Sequence, residues 1–214
     1  WNRDLSLFWP KEWLPKETDI NTARIWSFGY NSQFSSNRDI LRIMDFARTL
    51  LYDMKFSVRD GNSKMKVGQV PIIFVAHSMG GLIVKKACIL GQNDSQYNSI
   101  TSSIRAIIFL STPHGGTAHY AELLNRILRV SVKHSRKQYI AELTKGSTTL
   151  EEINEQFRHI APKIAIFSFY ETLETAVGPV KIMVLDKVSS TLGYPGEVIK
   201  PLNADHHNVC KFSN

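Results

Sequence analysis

The chain has only two cysteines, Cys88 and Cys210, and they stand far apart. Two thiols cannot build a disulfide scaffold, and neither has the paired Cys or clustered His spacing that a zinc site requires. The expectation is free, buried thiols in a reducing setting, intracellular and either cytoplasmic or organelle-associated, with no metal. Long apolar runs are also missing. The longest, at 71–76 and 106–110, reach about six residues, against the roughly 18 to 20 of a membrane helix. The opening Trp1-Asn2-Arg3-Asp4 carries charge without the apolar stretch and small-residue cleavage site of a secretory leader, which argues against export. It does not begin with Met, which suggests a fragment. The sequence has no internal repeat and no strand-linked glycine loop of the kind that cradles phosphates. Basic patches interleaved with aromatics are lacking too, so nucleic acid is not an expected partner. No cofactor is expected.

The 214 residues are 43% hydrophobic, 21% charged and 10% aromatic, which suits one globular domain with a sizeable core. Twenty-six Lys and Arg oppose 19 Asp and Glu, a net charge of +7. Much of the excess lies in one stretch, where Arg126, Arg129, Lys133, Arg136 and Lys137 follow one another without an acid. Such a run is ordinarily a solvated helical face; its other reading is contact with an acidic membrane surface.

Along the chain, 1–22 reads as a loop and 23–28 as a short strand ended by Gly29-Tyr30-Asn31-Ser32. Ile40, Ile43, Phe46, Leu50 and Leu51 then recur at helical spacing to about Met54. A polar loop at 59–66 leads to the continuous apolar run 70–76, the pattern of a strand buried on both faces. Residues 80–90 have helical period, with Gly91 as an end signal. The next buried strand is 104–110. The stretch 118–160 reads as helical in about three pieces, the last capped by Ser147-Thr148-Thr149. Strand candidates follow at 164–169 and 180–185, before a mixed tail from 189 onward. Strands alternating with helices predict an α/β fold: a doubly wound, mostly parallel sheet with its site at the carboxyl ends of the strands.

The segment Phe74-Val75-Ala76-His77-Ser78-Met79-Gly80-Gly81 joins a buried strand to a helix through a turn that holds one serine between small residues. A nucleophile elbow has this context. Ser78 must adopt a strained backbone there to lift its hydroxyl above the sheet, and Ala76 and Gly80 are the small neighbours that let strand and helix cross. Because the turn opens a helix, the backbone N–H of Met79 is a candidate oxyanion donor. The bland alternative is an ordinary helix cap at Ser78; the strand before and the helix after weigh against it.

A nucleophilic serine needs a base and an acid, and in this topology the chain order is Ser, acid, His. His206 and His207 are the histidines beyond the last strand candidate, and one of them is the expected base. His77 adjoins Ser78 but would direct its side chain elsewhere, into packing beside the site. His114 precedes the acid and is the weaker option. For the acid, Glu171 follows Ala165-Ile166-Phe167-Ser168-Phe169-Tyr170 at a strand end, with one more strand before the histidines. Asp186, at the end of Ile182-Met183-Val184-Leu185, is the alternative. Asp205 is disfavoured because adjacent side chains diverge.

Four motifs in order now resemble a known family. Ala76-His77-Ser78-Met79-Gly80-Gly81-Leu82-Ile83-Val84-Lys85, Ser111-Thr112-Pro113-His114-Gly115-Gly116, Ser168-Phe169-Tyr170-Glu171-Thr172 and Ala204-Asp205-His206-His207-Asn208-Val209-Cys210 are similar to the α/β-hydrolase domain of the serine-active-site-containing (SERAC) proteins. The resemblance spans almost the whole chain. It implies a single α/β-hydrolase domain over 1–214 and serine esterase or lipase chemistry, with Ser78 as nucleophile and Glu171 as acid. The family's Asp-His pair falls on Asp205-His206, which prefers His206 to His207. It further implies an amino-terminal domain of fungal NACHT, ankyrin or tetratricopeptide proteins, so that other domains of a larger chain become partners. In the family an earlier strand and His-Gly loop supply the second oxyanion donor, and their absence before Trp1 implies a domain that starts late. Losing one such donor costs on the order of 3 kcal/mol of transition-state binding. The helical stretch 118–160 would be a lid-like insertion. Two functions follow: hydrolysis of carboxylic esters, with an ester or lipid substrate, or a hydrolase-like signalling or binding module of little turnover.

Overall fold

A computed structural model describes residues 8–30, 42–56, 58–59, 63–64, 67–115, 146–177 and 179–212. A one-turn helix, α1 (Trp9–Glu12), carries Pro10 in its first turn, where a missing N–H costs nothing. In α2 (Ile43–Phe56), Ile43, Phe46, Ala47, Leu50 and Leu51 are buried, the stripe that their helical spacing predicts. The minimal hairpin of β1 (Val58–Arg59) and β2 (Ser63–Lys64) falls in the expected polar loop. Next come β3 (Ile72–His77), α3 (Met79–Gln92), α4 (Asn98–Ser103) and β4 (Ile104–Leu110). The remainder comprises α5 (Thr148–Arg158), β5 (Ala165–Glu171), β6 (Thr175–Val177), β7 (Val180–Ile182), α6 (Lys187–Ser190) and β8 (Val198–Leu202).

Strands β3, β4, β5 and β8 form a parallel sheet in that order. Its register sets His77 beside Leu110, Leu110 beside Phe169, and Glu171 beside Leu202. All four carboxyl ends therefore finish along one edge. Alternation along β4 divides the interior. Ile107 and Phe109 join the main core with residues of α2, α3 and α5, while Leu110 packs with Ala204, Val209 and Cys210 on the other side. Fully buried side chains such as Phe109, Phe157, Leu82 and Ile107 each contribute about 1.5–3 kcal/mol relative to exposure.

Several expectations change, beginning with the loop expected at 1–22, which contains α1. Residues 23–28 form no strand; Ile25 and Trp26 are exposed and have no ladder partner among the described residues. The run 180–185 is not a strand of the main sheet. Its first half is β7, paired antiparallel with β6, and its second half turns inward to bury Val184 and Leu185. The strand that does complete the sheet is β8, in the tail, whose Val198, Ile199 and Lys200 face solvent and give little apolar signal. Gly91 does not end α3, which continues to Gln92. A Cβ at Gly91 would lie 2.6 Å from Thr101 Cγ2 and 3.3 Å from Leu51 Cδ2, so the glycine serves helix packing. The greater part of the expected insertion at 118–160, with Arg126, Arg129, Lys133, Arg136 and Lys137, lies outside the described residues. Its last piece is α5, with Ser147 at the N-cap position and no side-chain capping bond.

An ionisable side chain sits inside this core. Lys85, on α3, is fully buried; its Nζ donates to Asn154 Oδ1, lies 3.3 Å from His114 Nδ1 and stands 5.4 Å from the Phe157 ring centroid. Nδ1 of His114 is then the acceptor, which leaves its proton on Nε2. Asn154 Nδ2 donates in turn to the His114 carbonyl at 2.8 Å. Burial pushes the Lys85 ammonium down to about 7, with Glu197 pulling it back upward. Between about pH 7 and 10.5 the unfolded chain binds a proton at Lys85 that the native protein does not. Stability must therefore rise with pH across that window, by up to roughly 1.4 kcal/mol per unit. Urea unfolding of the wild type and Lys85→Met at pH 7, 8 and 9 should show the wild type gaining on the variant at each step. A constant difference would contradict the downward shift of the Lys85 ammonium.

Candidate active site

Ser78 lies between β3 and α3 with φ 56 and ψ −131. For a residue with a Cβ this is a strained conformation, costing on the order of 1–3 kcal/mol, and it persists only where the surroundings enforce it. They do so on both sides. The Ser78 N–H donates to the Leu110 carbonyl of β4 at 2.9 Å, and the Ser78 carbonyl accepts from the Gly81 N–H at 3.1 Å. Ala76 is buried at the end of β3, as the elbow requires. The second small residue is not Gly80, where an added Cβ would meet nothing within 4 Å. It is Gly81, where a Cβ would stand 2.2 Å from Thr112 Oγ1 and 2.8 Å from Phe109 Cδ1. Met79 is the first residue of α3, so its N–H is among those without an intrahelical acceptor.

Two further side chains meet the serine. His206 Nε2 is 3.0 Å from Ser78 Oγ, and His206 Nδ1 is 2.7 Å from Glu171 Oε2. Glu171 ends β5 with its carboxylate fully enclosed, and its other oxygen accepts from the Leu185 N–H at 2.9 Å. Both oxygens are thus engaged, one by a fixed backbone donor and one by the imidazole. The carboxylate accepts, so Nδ1 carries a proton, and Nε2 is left to take one from the serine hydroxyl. The loop after β8 that holds His206 is tied to the end of β5, since Thr172 and Leu173 donate their N–H groups to the Ala204 carbonyl at 3.2 and 3.1 Å. At the other end of the chain, Trp9 Nε1 donates to the Cys210 carbonyl at 3.1 Å.

The remaining candidates stand elsewhere. Asp186 caps α6, its carboxylate accepting from the Ser189 N–H at 2.7 Å. Asp205 closes a local turn by accepting from the Asn208 N–H at 2.9 Å. His207 is exposed, and His114 is bound up with Lys85. Burial and the Lys85 charge hold His114 well below the usual imidazole range. His77 Nε2 lies 2.9 Å from the His206 carbonyl. Burial first, and His206 second, push His77 down to about 3, so it is neutral and donates from Nε2. Thr175 was not singled out in the sequence. Its Oγ1 accepts from the His206 N–H at 3.0 Å, and no local pattern marks a threonine in so short a hairpin. Nor could spacing reveal the Leu185 N–H, a backbone donor. Among the described residues no three His, Cys, Asp or Glu side chains gather as metal ligands, and no helix is long and apolar enough to cross a membrane.

The model of the PGAP1-like alpha/beta domain matches residues 26–169. Protein SERAC1 of Danio rerio is 34% identical over 97% of this chain and 31% of its own length. For protein SERAC1 of Bos taurus the identity is 32%, over 95% of this chain and 30% of the relative. The Homo sapiens protein is 31% identical over the same shares, 95% and 30%. The chain thus spans about a third of the length of these relatives. They are animal proteins, and give no support to the fungal setting that the resemblance implied. Among solved structures, the mature form of Bacillus licheniformis lipase BlEst2 superposes with a TM-score of 0.54, at 15% identity, over 79% of this chain and 69% of that one. At that identity the likeness establishes the α/β fold.

The two glycines after the elbow separate cleanly by experiment. Gly81→Ala should lose about 1–3 kcal/mol through overpacking against Thr112 and Phe109. Gly80→Ala should be neutral or gain up to about 1 kcal/mol from helix propensity. Thermal denaturation of both variants measures the contrast, and equal losses would contradict the packing at Gly81.

Proposed function

The chain belongs to the family of PGAP1-like alpha/beta domains and carries a hydrolase-type fold, and on that premise we propose that it is a serine hydrolase of carboxylic esters. One observation carries the reading: the unbroken line from Ser78 Oγ through His206 to Glu171, at 3.0 and 2.7 Å. In the proposed reaction Ser78 Oγ attacks the ester carbonyl while its proton passes to His206 Nε2. The carbonyl oxygen gathers negative charge, which the Met79 N–H and the start of α3 stabilise. Collapse breaks the bond to the leaving alcohol, which takes the proton from His206 and leaves an acyl-serine. Water then repeats the sequence and releases the acid. Glu171 stays ionised throughout, fixing the imidazole tautomer and stabilising the imidazolium.

Lipid esters are the substrate class we favour. Support comes from the basic run Arg126, Arg129, Lys133, Arg136 and Lys137, in the segment after β4 where a lid over the site belongs. That run also suits an acidic membrane surface. A second reading, a module of little turnover serving a larger chain, draws on the chain's span of about a third of its relatives' length.

A fluorophosphonate probe tests the first reading. It should label Ser78 in the wild type and fail to label Ser78→Ala. His206→Ala and Glu171→Gln should each lower hydrolysis of a p-nitrophenyl ester by about 10²- to 10⁴-fold while the variants stay folded. A folded wild type that resists the probe, with no ester turnover, would favour the second reading. Asp186→Asn should retain the wild-type rate, because its carboxylate only caps α6; a loss comparable to that of Glu171→Gln would move the acid to Asp186.

A further inference from the structure

His206 must keep its Nε2 within hydrogen-bond reach of Ser78 although it sits in a loop, after β8 rather than on a strand or helix. Its ring is bonded at Nδ1 to Glu171 and at Nε2 to Ser78, and keeping both bonds in line requires the backbone that carries the ring to stay in place. Both polar groups of the His206 backbone are taken by side chains from other elements. The N–H donates to Thr175 Oγ1 at 3.0 Å, and the carbonyl accepts from His77 Nε2–H at 2.9 Å. Thr175 stands in the β6–β7 hairpin, and His77 is the last residue of β3, immediately before the nucleophile.

We propose that His77 and Thr175 are positioning residues for the base, gripping the two ends of the His206 backbone so that the imidazole stays in line with Ser78. This rests on the serine hydrolase reading. The His77 bond is the more telling of the two, because it joins the residue before the nucleophile directly to the base. Any movement of the loop relative to the elbow must stretch it. Thr175 is buried, so its hydroxyl holds the amide without exchange to solvent. The chemistry of His77 also fits the task. The titratable groups acting on it include His206 and His207, and the two rings His77 and His206 have centroids 5.1 Å apart. A neutral imidazole there can donate to the carbonyl without opposing the positive charge that His206 takes up when it receives the serine proton. A lysine or arginine could donate equally well and would repel that charge.

Catalytic geometry is lost within tenths of an ångström, and a 1 Å misplacement costs about 10²-fold. His77→Leu and Thr175→Val should therefore lower kcat on a p-nitrophenyl ester by about 10- to 100-fold, with KM nearly unchanged. His77→Gln, whose amide can replace the Nε2 donor, and Thr175→Ser, which keeps the hydroxyl, should recover most of the rate. The second readout needs no turnover: the far-downfield proton NMR signal of His206 Nδ1–H, bonded to Glu171, should broaden or vanish in His77→Leu and Thr175→Val and return in the conservative pair. Unchanged kcat and an unchanged signal in the folded Leu and Val variants would overturn the proposal, as would rates that track melting temperature with no recovery by Gln or Ser. Should His77→Leu not fold, Thr175→Val decides alone. If the wild type ignores fluorophosphonate, the hydrolase reading fails, and the Nδ1 signal still reports whether His77 and Thr175 hold the loop.

Discussion

At Gly81 the first turn of α3 comes so close to β4 and the loop after it that a methyl group would sit 2.2 Å from the Thr112 hydroxyl. This approach lets the chain turn from strand to helix within a single residue, and it concentrates the bend at Ser78, at φ 56. The strain is affordable because a ladder bond to Leu110 and the first turn of the helix hold the serine from both sides. A larger residue at 81 would push α3 away from Phe109 and Thr112, and the hydroxyl would no longer project over the sheet edge. Every distance at the site is measured from that point.

Parallel pairing does the rest. Because β3, β4, β5 and β8 run in one direction, a serine after the first and a carboxylate at the end of the third come out on the same edge. Pairing of Glu171 with Leu202 then places the loop after β8 next to the carboxylate it must meet. Glu171 accepts from the Leu185 amide, and His206 is bonded to Glu171, Thr175 and His77. Each of these groups is held by at least one partner from another part of the chain. The buried Lys85, its amino group met by Asn154 and the ring nitrogen of His114, joins α3, α5 and the loop after β4 in the same region.

Local pattern revealed the elements whose burial is one-sided or complete. The stripe of α2, the apolar runs of β3 and β4 and the change of period at Ser78 were legible because each residue's surroundings follow from its position in a regular element. Strand order points to Glu171, although the strand it expects between Glu171 and His206 lies elsewhere in the sequence. The run 180–185 contains β7 and an inward turn, and the strand that belongs there is β8. An edge strand with solvent-facing Val198, Ile199 and Lys200 has no alternation to display. The space that spacing assigns to Gly80 is provided by Gly81, since two adjacent glycines are equivalent until something packs against one of them. For the same reason Gly91 read as a stop when it is a contact.

What the sequence by itself determined is the α/β order of elements, the elbow around Ser78 and the short set of residues from which a base and an acid could come. These are matters of period, of residue size at a turn and of chain order, all of which are local. Chain order and the family resemblance prefer Glu171 and His206, but only the tertiary structure set the Glu171 carboxylate against His206 and the His206 imidazole beside Ser78. It alone brought Thr175 and His77 to the His206 backbone. Such pairings join residues more than a hundred positions apart in some cases. They exist because strand register brings remote loops to one edge, and register is set by packing across the whole sheet, which no single stretch of chain contains.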